Sequence, residues 1–186
     1  MTSGRAAAFA LLALAIHAGC RQPDPPPSAT PSPAHGRAKA ETGDLEVTVQ
    51  RVIDGDTVLV SGLPAGTGLV RLTGVDAPET GEGRTKRECF GAEARRWLAG
   101  QAPPGSRLRL VFDVGPHDRF GRVLAYVYRA DGTFLNAALI ADGYARTMTI
   151  PPNVRHANEL RELQRRARSQ NRGLWGACRE ERPPIY

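Results

Sequence analysis

The stretch VIDGDTVLV, Val52 to Val60, sets Asp54 and Asp56 on either side of Gly55 inside an otherwise apolar run. Ahead of it Leu45, Val47 and Val49 alternate as in a half-buried strand, and behind it TVLV resumes the pattern, so Asp54-Gly55-Asp56 reads as a corner between two strands. A turn there could have used neutral Asn or Ser. Two negative charges at one corner therefore need a chemical reason.

Reading outward, GLVRLTGV (residues 68–75) makes a third strand. Phe90, Ala94, Trp97 and Leu98 fall at helical spacing on a helix closed by Gly100 and Pro103. Leu108, Leu110, Phe112 and Val114 alternate as a fourth strand, and RVLAYVYR (122–129) is a fifth. Asp131-Gly132 turns into a short helix with Leu135, Ala138 and Leu139 inward and Gly143 as its stop. Pro151-Pro152-Asn153 introduces a last helix, with Ala157, Leu160, Leu163 and Ala167 on one face and arginines elsewhere. Five short strands with a helix inserted after the third predict an α+β fold: a five-stranded OB-type β-barrel with three helices.

The strand pattern also aims side chains. Val70 and Leu72 share one face, so Arg71 points to the other. Asp76 and Glu79 follow at that strand's end, around a Pro78 that fixes the chain direction. Each carboxylate alone is an ordinary turn residue. A barrel, however, brings strand corners together, and Asp56 sits at another one. Carboxylates without Cys or His among them make a hard, oxygen-rich site that favours Ca²⁺ over Zn²⁺ or Cu²⁺. A second piece, DRFGR (118–122), lies between the fourth and fifth strands. Arg122 follows a glycine and begins a strand, which can hold its planar guanidinium at a phosphate. Two arginines, a hard cation and a spare carboxylate are what phosphodiester hydrolysis requires. His117, beside this loop, is a rival base or simply a solvated loop histidine.

The 186-residue chain carries a formal charge of +6, and Lys39 and Lys86 are its only lysines. Residues 44–186 keep 21 Lys/Arg against 17 Asp/Glu, a mild excess of +4 that permits a polyanionic partner and also suits a merely soluble surface. Ahead of them, residues 1–19 carry Arg5, then an apolar run from Ala6 to Ala18 and small residues before Cys20, the layout of a secretory signal peptide. Those thirteen residues, broken by His17, are too few for a permanent membrane helix. HAGC resembles a lipobox with His17 in place of Leu, which leaves two fates open: lipidation of Cys20, or ordinary cleavage. Residues 20–43 hold six prolines and little that is apolar, and read as a disordered tether. The folded domain is expected at 44–186. In an exported chain the two remaining cysteines, Cys89 and Cys178, are expected to pair, against the alternative of two buried free thiols.

Together VIDGDTVLV, VRLTGVDAPE, CFGAEARRWL, DRFGRVLAYVY and LNAALIADGYAR resemble the staphylococcal nuclease (thermonuclease) family, in that family's order and spacing, over roughly residues 45–177. The resemblance implies that Asp56, Asp76 and the backbone carbonyl of Ala77 ligate Ca²⁺. It also implies that Glu79 is the general base or water-orienting group, that Arg71 and Arg122 hold the phosphate, and that Asp54 stands near the metal without binding it. Arg119 would add substrate contact. Three departures stand out: Ala77 where the best-known member has Thr, Arg119-Phe120 for a Lys-Tyr pair, and no tyrosines in ARTMTIPPN (145–153) to pack on a nucleotide. Binding is therefore expected to lean on phosphate rather than on the base. The implied protein is a calcium-dependent endonuclease, secreted or tethered to the cell envelope through Cys20, monomeric, cutting DNA, with RNA left open as a second substrate, to leave 3′-phosphate ends. The alternative is a non-catalytic nucleic-acid-binding OB module, which the joint presence of Asp56, Asp76, Glu79, Arg71 and Arg122 argues against.

Overall fold

The computed structural model describes residues 44–81 and 86–178. The signal peptide, the tether and Cys20 lie outside the described residues. Five strands close a barrel in the order β1-β2-β3-β6-β5: β1 (Leu45–Asp54), β2 (Thr57–Ser61), β3 (Leu69–Leu72), β5 (Arg107–Val111) and β6 (Val123–Arg129). The long first strand makes closure feasible. Leu45 to Thr48 pair with β5 while Thr48 to Asp54 pair with β2, and two register irregularities, between Val49 and Arg51 and between Val52 and Asp54, bend the strand from one neighbour to the other. β3 and β6 then pair in parallel, Val70 opposite Val123 and Leu72 opposite Ala125. The predicted α+β, OB-type barrel is the observed one.

Inside it Val47, Val49, Val58, Val60, Val70, Leu72, Leu108, Leu110 and Val127 are at most 3% exposed. Arg71, between Val70 and Leu72, faces the other way as the alternation requires. Helices α1 (Gly91–Gln101), α2 (Leu135–Ala141) and α3 (Ala157–Ser169) pack outside, and a single turn α4 (Leu174–Ala177) follows the three helices expected. Among the described residues no helix is long and apolar enough to cross a membrane. A disulfide joins Cys89, just before α1, to Cys178, just after α4.

Four details depart from the expectation. The expected fourth strand, β5, stops at Val111, and Val114 of the expected alternation is 72% exposed. The run GLVRLTGV is not one strand: Gly74 takes a left-handed φ of +79°, where a Cβ would lie 2.7 Å from Leu160 Cδ1, and the chain restarts as β4 (Val75–Asp76). β4 pairs with β7 (Arg146–Thr147) in a separate two-stranded sheet, too short to show any alternation in sequence. In α2, Ala138 is only half-buried, and Asn136 and Ile140 are buried beside Leu135 and Leu139. Asn136 is there for its amide. It accepts from Val127 N at 2.9 Å and donates to Thr73 O at 2.8 Å, satisfying backbone where β3 ends against β6.

Candidate active site

The corner between β1 and β2 is built around Gly55, which is buried. A Cβ there would stand 2.7 Å from Ala77 Cβ and 2.8 Å from Ala94 Cβ. The glycine is thus required by close approach of the β4 exit and α1. That approach carries Asp56 to the end of β4. Its Oδ2 accepts from Ala77 N at 2.8 Å and its Oδ1 from the Thr57 hydroxyl at 3.0 Å.

Arg71 reaches the same place from β3. Nη1 lies 2.7 Å from Asp56 Oδ2 and donates to Val75 O at 2.8 Å, while Nη2 lies 3.5 Å from Asp76 Oδ1. One guanidinium therefore bridges the carboxylates of two strand ends. Burial pushes the Asp56 carboxyl up, against the pull of Arg71 and the bonds from Ala77 and Thr57. Asp76 is far more open, with 49% of its side chain exposed.

Glu79 follows on the chain leaving β4. Its backbone is held by Glu88, whose Oε2 accepts from Glu79 N at 3.2 Å and whose N donates to Glu79 O at 2.9 Å. The first residue of α1 is Gly91 because a Cβ there would lie 2.3 Å from Glu79 O. The Glu79 carboxyl is pushed above the usual range by burial and then by the nearby Asp54 carboxylate, with Asp56 and Glu88 adding to the effect. Asp54 in turn accepts from Gly55 N at 2.8 Å. The five acidic residues Asp54, Asp56, Asp76, Glu79 and Glu88 thus belong to one locality, and Glu88 was not singled out from sequence.

Arg122 is fixed by its own loop. Asp118 Oδ2 accepts from its Nε at 2.7 Å, and Asp118 Oδ1 takes the backbone N–H of Phe120 and Arg122 at 2.9 and 3.0 Å. This chelation of one loop by one carboxylate explains the spacing of DRFGR. Although burial opposes it, the bonds from Arg122 and Phe120 hold Asp118 below the ordinary carboxylate value. Phe120 is 65% exposed, and Arg119 lays its guanidinium 4.7 Å from the centre of that ring. Arg71, His117, Arg119 and Arg122 line one groove of about 580 Å³, whose far wall is Met148, Ile150 and Pro151. This wall lacks the tyrosines, and Ile150 on it and Phe120 beside Arg119 offer exposed apolar surface. Asn153 pins this wall, accepting from Gly115 N at 2.8 Å and donating to Gly115 O at 2.7 Å. Asp113 accepts from Tyr126 Oη at 2.9 Å and Arg155 N at 3.0 Å.

Among the described residues no three His, Cys, Asp or Glu side chains form a metal cluster by themselves. A cation would instead rest on Asp56, Asp76 and the Ala77 carbonyl. That donor set fits a hard ion: it is all oxygen, and Asp56 and Asp76 already converge on one positive group. The sequence-predicted residues thus fall into two groups. Asp54, Asp56, Arg71, Asp76, Ala77 and Glu79 lie at the strand ends, and Arg119 and Arg122 on the groove wall that Arg71 also lines.

A family model described as staphylococcal nuclease homologue matches residues 69–177. The match begins at β3, so the Asp54-Gly55-Asp56 corner precedes it. The chain is 35% identical over 127 residues to the thermonuclease of Staphylococcus intermedius, covering 68% of this chain and 74% of that one. It is also 35% identical over 131 residues to the thermonuclease of Staphylococcus hyicus, 68% and 73% of the two chains. Endonuclease YhcR of Bacillus subtilis is 30% identical over 140 residues, 72% of this chain and 12% of that much longer protein.

Proposed function

Because this chain belongs to the staphylococcal nuclease family, we propose that it is a calcium-dependent endonuclease that hydrolyses phosphodiester bonds in DNA and RNA and leaves 3′-phosphate ends. The observation that carries the reading is the Arg71 guanidinium. It touches both Asp56 and Asp76 and lines the groove that Arg122 also lines.

In this reading the scissile phosphate lies in the groove between Arg71 and Arg122. Each arginine offers a charged donor to oxygens that gain negative charge as phosphorus becomes five-coordinate, a role worth ~10²–10³ in rate per donor. Glu79 orients a water and takes its proton as the water oxygen bonds to phosphorus. The raised pKa of Glu79 suits it to accept that proton. The neighbouring Asp54 carboxylate raises the proton affinity of Glu79. The bond from phosphorus to the 5′-oxygen breaks, that oxygen collects a proton from solvent, and the phosphate stays on the 3′ side. A Ca²⁺ held by Asp56, Asp76 and the Ala77 carbonyl would supply further positive charge to the same oxygens. Ala77 can lend its carbonyl as well as Thr could.

The same proposal exports the protein, either anchored through a lipid on Cys20 or freed by ordinary cleavage, and has it act as a monomer. Labelling with a radioactive fatty acid separates the two fates, since only the first labels the protein and loses the label in Cys20→Ala. The chemistry is tested on the product ends of a cut oligonucleotide. Ends that resist polymerase extension until phosphatase removes a 3′-phosphate support the reading; ends extended without phosphatase overturn it.

A further inference from the structure

The short sheet at the carboxylates sets a second arginine beside Asp76. β4 and β7 pair antiparallel with Asp76 directly opposite Arg146. Residues opposite one another in such a pair project from the same face, with Cβ atoms ~4.5–5.5 Å apart, close enough for opposite charges to pair. Val75 and Thr147 take the other face, where Val75 is buried and Thr147 N donates to Gln164 Oε1 of α3 at 2.7 Å. The register thus offers Arg146 the Asp76 carboxylate as its nearest partner.

The guanidinium goes elsewhere. It lies over the indole of Trp175 in α4, 5.7 Å from the ring centre, and Arg168 of α3 stands 5.6 Å from the same ring. Asp76 meanwhile keeps 49% of its side chain exposed, with Arg71 Nη2 at 3.5 Å. This choice matters to a cation. A carboxylate held by a second, exposed arginine must break that pair before it can become a ligand, and an arginine that stays beside it repels the incoming ion. A guanidinium over an indole and an exposed arginine–carboxylate pair are of similar worth, so one well-placed ring decides where Arg146 rests.

Resting on the calcium-dependent reading above, we propose that Trp175 is a positioning residue for the metal site: its ring holds Arg146 away from Asp76 and so leaves that carboxylate open to the cation. Trp175 needs no contact with the ion or with the substrate to do this. Its effect passes through Arg146 alone, and that is what makes it separable from packing.

The test is the Ca²⁺ affinity of the whole protein, measured by equilibrium dialysis against radioactive Ca²⁺ with no nucleic acid present. Trp175→Leu keeps apolar bulk but removes the aromatic face, and should weaken binding by about threefold, the worth of the exposed ion pair that the cation must then break. Trp175→Phe, which retains a ring, should bind nearly as wild type does. Arg146→Gln should bind Ca²⁺ at least as well as wild type, and adding Trp175→Leu to it should cost nothing further. If Trp175→Leu fails to fold, Trp175→Met fills the same place without a ring and carries the same expectation. Unchanged affinity on loss of the ring, or an equal loss with and without Arg146, overturns the proposal, the second outcome because a purely structural indole would matter in either background. Wild-type protein that takes up no Ca²⁺ overturns the calcium reading together with this one, whereas a failed Trp175 comparison in a protein that does bind Ca²⁺ overturns this one alone.

Discussion

Arg71 Nη1 stands 2.7 Å from Asp56 Oδ2, and the two side chains are only 11% and 9% exposed. The contact makes Arg71 structural as well as chemical. Arg71→Ala leaves Asp56 buried without its countercharge, which should destabilise the fold by ~3–5 kcal/mol in urea unfolding, and should lower turnover ~10²-fold or more. Arg122→Ala should lose turnover comparably with little loss of stability, because Arg122 is 30% exposed at the groove rim. Lys at either position should restore little, since the planar fork is lost. Equal stability of the two Ala variants would show that the Asp56 pair carries no structural weight.

Gly55→Ala tests the packing of the corner. Its Cβ would meet Ala77 Cβ at 2.7 Å and Ala94 Cβ at 2.8 Å. Neither neighbour is the flexible end of a long side chain, so the backbone must shift, at ~1–3 kcal/mol. The shift moves Ala77, whose N–H binds Asp56, and turnover should fall with stability. Unchanged melting temperature and rate would mean that α1 yields freely.

How far this was legible in the sequence depends on the range of the interaction. The alternation around Val70 and Leu72 foretold where Arg71 points, and spacing foretold α1 and α3. Asn136, Asn153 and Asp113 were not foreseen, because each satisfies backbone atoms distant in sequence, such as Thr73 O and Gly115 N. Nothing local marks an Asn that closes a barrel seam. β7 was missed for the same reason: its two residues are a strand only because Val75 and Asp76 lie opposite. The need for glycine at 55 is equally non-local, since close approach by Ala94 of α1 is a tertiary fact.

The Cys89–Cys178 disulfide closes a loop with a sequence separation of 89. In the chain-entropy model a loop of this length contributes ~4–5 kcal/mol. Reduction should lower the denaturant midpoint accordingly and leave activity at low temperature nearly intact, because neither cysteine lines the groove. Loss of activity in a still-folded reduced protein would place the start of α1 under the bond's control.

Asp113 gives a pH signature. Burial raises its pKa, but bonds from Arg155 N, Tyr126 Oη and Val114 N outweigh that and hold it below the ordinary aspartate value. A depressed carboxylate stabilises the fold fully above its unfolded pKa, and the contribution fades as pH falls through the folded one. Asp113→Asn should cost ~1–3 kcal/mol at neutral pH, and the gap from wild type should shrink as pH drops below about 4. A gap constant from pH 7 to pH 3 would contradict the assignment.

The most direct test of the central claim is cleavage of an end-labelled single-stranded DNA by the purified protein, in millimolar Ca²⁺ and in excess chelator, with Glu79→Gln run beside it. The account predicts rapid cutting by wild type in Ca²⁺, none in chelator, and a rate at least ~10²-fold lower for Glu79→Gln in Ca²⁺. Wild-type cutting that is undiminished in chelator, or a Glu79→Gln variant as fast as wild type, would contradict it.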